Sequence, residues 1–347
     1  MYCLVSTFNK TFDELGLIYF IPSFLEKEIK KWQIVEVPVW NKIEIALVLE
    51  TWNLKELNIL DIEEEKIKSI ISIKNSEIFL NKNQIELIRF ISKNYFCHIH
   101  QAVSLFFPKN LKEKIVKGKI ELKTPLDTMS GGIKNSTCIN TTEKKKEKIK
   151  KEIKLEYSFI FDKKLSEKQN SIFEKINNSD NKKFLLHWVT GSWKTEIYIK
   201  LIKEQLDQGK QSLLLIPEII LNNQLETRLQ KVFWKDIITI NSTITEASKT
   251  KAWKLIYSNE AKIIIWTRSS LFYPHNNLWL IIIDEEHDNS YISDKNPRYN
   301  TIEIANKITV LNWNKLLLAS WTPSINSMYE AVKNKYKLIS LLEKFEN

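Results

Sequence analysis

The chain has 347 residues and a formal net charge of +10, a length that predicts more than one domain. The charge favours a polyanionic partner such as nucleic acid, with a solvated lysine-rich surface as the open alternative. No apolar run approaches the roughly 18 residues of a membrane span and no signal peptide is evident, so we expect no membrane association.

Cysteine and glycine contents are both informative. The three cysteines, Cys3, Cys97 and Cys138, form no CxxC pair, which argues against a disulfide framework or a zinc site and indicates a reducing, cytoplasmic location. Glycine occurs 6 times beside 11 tryptophans, whereas an average composition would give roughly 24 glycines. Because an α/β protein needs glycine for positive φ and close backbone approach, either its turns are unusual or tryptophan occupies glycine positions.

Residues 1–108 mix short alternating runs with one helical stretch. The runs QIVEVPVW and KIEIALVLE predict strands, and Asn83 to Lys93 predicts a helix, so we expect a small, mostly β domain. Residues 109–156 are polar, turn-forming and then lysine-rich. We interpret them as a basic linker, with a dedicated DNA-binding arm as the alternative.

From residue 157 onward, apolar runs alternate with helical segments. The runs FLLH, SLLLI, IITI, KIII, LIIID and KLLLAS predict buried strands, and Lys194 to Gln208 predicts a helix. Buried strands that alternate with helices indicate a parallel sheet covered on both faces. The fold class is therefore α/β, with a mostly β domain before a parallel-sheet lobe.

The segment VTGSWKTEIY has the strand, loop and helix context of a phosphate-binding loop. The template GxxxxGK[ST] would place its glycines at Trp188 and Trp193, followed by Lys194 and Thr195. In such loops backbone N–H groups surround the β-phosphate, the lysine neutralises phosphate oxygens and the hydroxyl binds Mg²⁺. An indole at either glycine position would fill the loop or require a forbidden φ. Alone, an unrelated strand-to-helix turn is an equal alternative.

The sequence DEEH follows the run LIII, roughly 90 residues after the Lys-Thr pair. Asp284 would hold Mg²⁺, and Glu285 would orient and deprotonate the attacking water. Two acids at a strand end are a weak signal alone. Together with the Lys-Thr pair at a helix start they predict an ATP-hydrolysing site.

Six motifs resemble the PriA family of primosomal replication-restart DNA helicases, in superfamily 2. They are LSEKQ, VTGSWKTEIY, LLLIPEIILNNQ, WTRSSLF, LIIIDEEHDNSYISDKNPRYN and SWTPSINS, between Leu165 and about Tyr336. Residues 1–108 resemble, more loosely, the family's 3′-DNA-end-binding domain through YFIP, KKWQIVEVPVW and KNYF…FFPKNL. The resemblance implies a RecA-like helicase lobe 1 over residues 157–336, with ATP and Mg²⁺ as cofactors.

The resemblance also implies a nucleotide site. Gln169 would read adenine, with an exposed helix-surface glutamine as the alternative. Lys194, Asp284 and Glu285 would be the catalytic residues, and Thr195 and Asp284 would hold Mg²⁺. The cofactor-binding set comprises Trp188, Gly191, Ser192, Trp193, Lys194, Thr195, Glu196 and Gln169.

Further residues are expected to bind DNA or to couple hydrolysis to DNA movement. Arg268 would contact the DNA backbone or the other lobe. His287 would couple the nucleotide site to the parts that move DNA, with a structural histidine as its alternative. The segment from Tyr291 to Tyr299 would sense single-stranded DNA, with aromatic packing beneath a loop as the alternative. The expected set is Arg268, His287, Tyr291, Arg298, Tyr299 and Thr322, the last lying in the motif SWTPS.

Most tryptophans lie where the family pattern has glycine. The seven such positions are Trp32, Trp40, Trp188, Trp193, Trp234, Trp266 and Trp279. A small residue is expected at Trp321 and tryptophan itself at Trp253, whereas Trp52 and Trp313 have no assignment. Our hypothesis is that UGA codons meaning glycine have been translated as tryptophan, and the codon at Trp193 tests it.

The chain also departs from the family. Where the family carries a winged helix, residues 109–156 are short and polar, so that domain is expected to be reduced or absent. Residues 337–347 would begin the connection to a second lobe, which supplies arginines to the ATP site and precedes a cysteine-rich zinc module. As an N-terminal half, the chain is expected to hydrolyse little or no ATP.

Three functions remain open. The first is an ATP-dependent 3′ to 5′ DNA helicase or translocase that acts at stalled forks in primosome assembly and replication restart. Its partners by resemblance are single-stranded and forked DNA, single-strand-binding protein and a replicative helicase loader. The alternatives are a catalytically inert fork-binding scaffold with real tryptophans, and another superfamily 2 translocase for branched DNA.

Overall fold

The computed structural model describes residues 1–8, 16–53, 67–75, 80–117, 165–189, 194–217, 224–233, 237–240 and 244–341. The chain divides into two compact units, Met1–Glu121 with Ser293–Tyr299, and Leu122–Ile292 with Asn300–Asn347. Within the described ranges, no helix combines the length and the apolar composition that crossing a bilayer requires. Most of the predicted linker, from residue 118 onward, lies outside them.

A five-stranded antiparallel sheet forms the first unit, in the spatial order β2-β1-β4-β3-β5. The strands are β1 (Tyr2–Thr7), β2 (Leu17–Phe20), β3 (Ile34–Val39), β4 (Lys42–Trp52) and β5 (Ser72–Asn75). The two alternating runs singled out in the sequence are the neighbours β3 and β4, which pair Val39 with Lys42 across a two-residue loop. Their inward side chains, including Val35, Val37 and Val48, belong to the buried core.

Within the described residues up to 117, three helices follow this sheet: α1 (Lys82–Asn94), α2 (Ile99–Leu105) and α3 (Lys109–Val116). Helix α1 begins with a capping box, in which Asn81 Oδ1 accepts from Gln84 N and Gln84 Oε1 accepts from Asn81 N. This confirms the helix predicted over Asn83 to Lys93. Helix α3 lies inside the range interpreted as linker, so regular structure extends into that range as far as Val116.

A seven-stranded parallel sheet forms the second unit, in the order β12-β6-β11-β10-β7-β9-β8, and confirms the predicted fold class. Its strands are β6 (Lys183–Trp188), β7 (Gln211–Leu215), β8 (Ile237–Ile240), β9 (Ile263–Trp266), β10 (Leu278–Asp284), β11 (Lys315–Ser320) and β12 (Lys337–Leu341). The six apolar runs correspond to β6 through β11. Strand β12 was not predicted, because residues 337–347 were assigned to a connection; as a half-exposed edge strand it has no long apolar run.

In the part of the chain that the structure describes, six helices accompany this sheet. They are α4 (Glu167–Asn177), α5 (Lys194–Asp207), α6 (Gln224–Val232), α7 (Glu246–Tyr257), α8 (Thr301–Asn312) and α9 (Ile325–Val332). The core joins strand residues such as Leu214 and Ile282 to helix residues such as Ile202. All five residues of β7 are buried, as expected for a strand covered on both faces.

A buried histidine should make the second unit sensitive to mild acid. The ring of His275 is only 7% exposed, its Nε2 lies 2.7 Å from the carbonyl oxygen of Ser270, and burial lowers its pKa to about 4. Since the unfolded pKa is near 6.5, the unfolded chain binds the proton first as the pH falls. We expect the free energy of unfolding to be unaffected above pH 6.5 and to fall by about 3 kcal/mol between pH 6.5 and 4.

Urea unfolding at several pH values would measure this effect in the parent chain and in His275→Gln. Glutamine keeps a donor for the Ser270 carbonyl but cannot titrate, so the variant should lose the part of the slope due to His275. An equal slope in both proteins between pH 4 and 6.5 would contradict the assignment.

Candidate nucleotide-binding site

The two motifs meet at the carboxyl edge of the parallel sheet, where open α/β sheets place their ligands. Strand β10 ends at Asp284, and helix α5, the next described element after β6, begins at Lys194. The ammonium Nζ of Lys194 lies 2.5 Å from Asp284 Oδ1 and 2.7 Å from Glu285 Oε1. The side chains are 13%, 4% and 15% exposed, so these are charge-assisted hydrogen bonds largely shielded from water.

Two tyrosine hydroxyls hold Asp284 in addition. Tyr198 OH donates to Asp284 Oδ1 at 2.9 Å, and Tyr291 OH lies 2.6 Å from the carbonyl oxygen of Asp284 and 3.1 Å from that of Leu215. Burial, and then the charge of Asp284, raise the pKa of both phenols, so they keep their protons and act as donors. The strand end is therefore fixed at its side chain and its main chain.

The backbone of Glu285 is strained, and in the described part of the chain only one of its two carboxylate oxygens accepts a hydrogen bond. Its φ is +48°, a left-handed conformation that costs energy in a residue other than glycine and is common at functional sites. Burial raises the pKa of its carboxyl, the nearby Asp284 adds to the rise, and Lys194 opposes it. Its Oε2 is buried and has no hydrogen-bond partner within the described ranges. A carboxylate in this state is suited to accept a proton from water.

The indole of Trp188 lies beside the lysine of the predicted phosphate loop. Trp188 ends β6 and is 8% exposed, and Lys194 Nζ lies 3.7 Å from the centre of its ring. The indole Nε1 is buried without a hydrogen-bond partner in the described part of the chain. The other predicted loop residues, Gly191, Ser192 and Trp193, lie outside the described residues.

A chain of hydrogen bonds leads from DEEH to SWTPS. His287 Nδ1 lies 2.7 Å from the hydroxyl of Ser320, and the same hydroxyl accepts from the backbone N of Thr322 at 3.1 Å. His287 Nδ1 is also 3.8 Å from Glu285 Oε2. The structure thus brings His287 and the Thr322 backbone together with the acidic residues.

Glu286 connects the same two motifs, and the sequence analysis assigned it no role. Its carboxylate accepts from the backbone N of Ser324 at 2.6 Å, from Ser324 Oγ at 3.0 Å and from Ser327 Oγ at 2.9 Å. The side chain is 2% exposed and lies at the N-terminus of α9, where the helix dipole favours a negative charge. Its position beside Asp284 and Glu285 in the sequence hid this structural role.

The other predicted cofactor residues are engaged locally. Gln169 is 3% exposed, not a surface glutamine, and its Oε1 accepts from Ser166 N at 3.0 Å in the capping box of α4. Glu196, in the first turn of α5, pairs with Arg228 of α6. Thr195 is half-buried beside Lys194 at the start of α5, where a hydroxyl ligand for Mg²⁺ was expected.

The expected DNA-sensing residues divide into exposed and buried groups. The guanidinium of Arg268 donates to the carbonyl oxygens of Ser290 and Ile292, the latter at 2.9 Å. These hydrogen bonds fix the backbone of the segment that follows DEEH. The rings of Tyr291 and Tyr299 are 2% and 4% exposed, which favours the packing alternative over base stacking. Arg298 is exposed.

Family comparisons match both parts of the chain. Residues 166–331 match the DEAD/DEAH box helicase family, and residues 5–108 match the 3′DNA-binding domain (3′BD) family. The first range contains the whole cluster around Lys194 and Asp284. The second covers helices α1 and α2 and the five-stranded sheet apart from the first residues of β1.

Two curated proteins are similar to most of this chain. Replication restart protein PriA of Rickettsia felis is 34% identical over 95% of this chain and 44% of that protein. The Rickettsia prowazekii protein of that name is 34% identical over 82% and 39%. A structure of RecG bound to a three-way DNA junction has 21% identity and a TM-score of 0.41, over 60% of this chain and 27% of that one. The chain spans less than half the length of these curated relatives, and it is similar to PriA replication restart proteins over most of its own length.

Proposed function

We propose that this chain supplies the nucleotide site and the DNA-binding domain of an ATP-dependent 3′ to 5′ DNA helicase that acts at stalled forks in replication restart. The observation that carries the proposal is the cluster of Lys194, Asp284 and Glu285 at the carboxyl edge of a parallel sheet. The 3′DNA-binding domain match and the PriA relatives favour forked and single-stranded DNA as substrates. Single-strand-binding protein and a helicase loader are proposed partners of the whole protein.

The residues present fit a magnesium nucleotide. Asp284 and Thr195 would hold Mg²⁺, with phosphate oxygens and water completing an oxygen-rich coordination shell. The ion would neutralise charge on the transferred phosphoryl group. Lys194 would turn from the two carboxylates to the β- and γ-phosphates, and Glu285 would take the proton of the attacking water. The hydrogen bonds from His287 to Ser320 and from Thr322 to Ser320 would transmit the movement of Lys194 and Glu285 to SWTPS. By resemblance to the family, we also propose that the whole protein has a second lobe that supplies arginines to the ATP site, and a cysteine-rich zinc module.

Backbone conformation supports the hypothesis that many of the tryptophans are natural glycines. Three of the seven described non-glycine residues with positive φ are tryptophans: Trp32 at +73°, Trp40 at +52° and Trp313 at +57°. A bulky residue rarely adopts this conformation. Trp40 is the first residue of the two-residue loop between β3 and β4, where hairpins favour glycine, and is 84% exposed.

Trp313 extends the hypothesis to a position that the family pattern left unassigned. It caps the C-terminus of α8 in the left-handed conformation, with its N–H bonded to the carbonyl of Thr309, the usual place of a C-cap glycine. In contrast Trp253, where the family has tryptophan, is fully buried and stacked on Tyr257. Peptide masses of the protein from its native host should show glycine at 313 and tryptophan at 253; tryptophan at 313 would refute the extension.

The proposed activity is tested by ATP hydrolysis in the full-length protein carrying Trp188→Gly and Trp193→Gly, with and without forked DNA. We expect hydrolysis that DNA stimulates, and a kcat that Glu285→Gln lowers by about 10²- to 10⁴-fold through loss of the general base. ATP binding should survive Glu285→Gln. Absence of hydrolysis with forked DNA would favour the inert scaffold, and hydrolysis without a preference for forks would favour another branched-DNA translocase.

A further inference from the structure

Tyr198 donates a hydrogen bond to the carboxylate of Asp284, which would hold the metal. It lies four residues after Lys194 on α5, so both side chains project from one face of the helix, and both donate to the same oxygen, Asp284 Oδ1. Tyr198 is fully buried, and none of the predicted roles uses it.

The two donors differ in what nucleotide binding would do to them. Lys194 has to leave Asp284 in order to reach phosphate oxygens, so its hydrogen bond is lost in the bound state. The ring of Tyr198 is packed in the core beneath the sheet edge, so its hydroxyl stays where it is. Hydrogen bonds to a metal-binding carboxylate fix its orientation, and their loss commonly costs 10- to 100-fold in metal affinity.

We propose that Tyr198 is a positioning residue that holds the Asp284 carboxylate ready for magnesium while Lys194 moves to the nucleotide. This inference rests on the proposed ATP site. Its role is separate from that of Tyr291, which bonds the main chain of Asp284 and not its side chain. Removing the Tyr198 hydroxyl should therefore alter the metal requirement and leave metal-free nucleotide binding unchanged.

The experiment uses the full 347-residue chain with Trp188→Gly and Trp193→Gly, and a fluorescent ATP analogue. Nucleotide affinity is measured in EDTA and during titration with Mg²⁺, with and without Tyr198→Phe. We expect the Mg²⁺ concentration for half-maximal binding to rise about 10-fold and the affinity in EDTA to stay the same. Tyr336→Phe is the matched control, because Tyr336 is also a buried tyrosine of this unit but its hydroxyl bonds Asn306.

The possible failures can be told apart. An unchanged Mg²⁺ requirement in Tyr198→Phe, with nucleotide still bound, overturns the positioning role and leaves the proposed function standing. Equal loss of affinity in EDTA and in Mg²⁺ shows a structural role only and also overturns it. If the chain binds no nucleotide under either condition before Tyr198 is changed, the proposed function fails and the inference with it. Tyr198→Met, which also lacks the hydroxyl, replaces Tyr198→Phe if the latter does not fold.

Discussion

Trp188→Gly combined with Trp193→Gly is expected to raise the affinity of the chain for Mg-ATP at least about 100-fold. A phosphate loop binds phosphate oxygens through its backbone N–H groups, and each such charge-assisted hydrogen bond contributes about 1.5–3 kcal/mol. Two recovered hydrogen bonds are therefore enough for a gain in affinity of about 100-fold. In the present chain the Trp188 ring lies 3.7 Å from Lys194 Nζ, the group that would bind phosphate. Isothermal titration calorimetry with a non-hydrolysable ATP analogue measures the change.

Trp279→Gly is the matched control for this pair. Glycine is also expected at 279 from the family pattern, but Trp279 lies at the opposite end of β10 from Asp284, half-exposed beside Lys210. It should leave ATP affinity unchanged. Equal affinities in the parent chain and the double variant would show that the indoles do not block the loop.

Helix and strand assignments were predictable wherever the pattern was long and regular. The six apolar runs became β6 to β11, and the Lys-Thr pair begins α5, because buried parallel strands and their covering helices leave strong periodicities. Strand β12 was not predicted because only its third and fifth residues are buried, so it leaves no long apolar run. The motif pair placed Lys194 and Asp284 in one ATP site, and the structure brings them together at the carboxyl edge of the sheet, where open α/β sheets bind their ligands.

Side-chain partners within the site were less predictable. Tyr198 and Tyr291 both bond Asp284, yet they come from segments 93 residues apart in the sequence, and nothing local marks them as partners. The resemblance to the family's aromatic-rich loop assigned Tyr291 to DNA sensing, with packing beneath a loop as the alternative. Burial favours the packing alternative, since a ring that is 2% exposed has no face for a base. Exposure depends on the folded neighbours and so has to be read from the structure.

Glu286→Ala is expected to lower the free energy of unfolding by roughly 2–6 kcal/mol. The substitution leaves two buried donors, Ser324 N and Ser327 Oγ, without their acceptor, whereas Ser324 Oγ can still donate to Ser327 Oγ at 3.1 Å. Each such loss costs about 1–3 kcal/mol, and the first turn of α9 also loses a favourable negative charge. Urea unfolding monitored by circular dichroism provides the measurement.

Glu303→Ala separates this network from a general effect of removing a glutamate at a helix start. Glu303 lies in the first turn of α8 and is exposed, so its loss should cost less than about 1 kcal/mol. If the two variants were equally stable, the bonds of Glu286 would contribute no more than a surface charge does. A large difference would mean that the buried carboxylate of Glu286 holds SWTPS against DEEH.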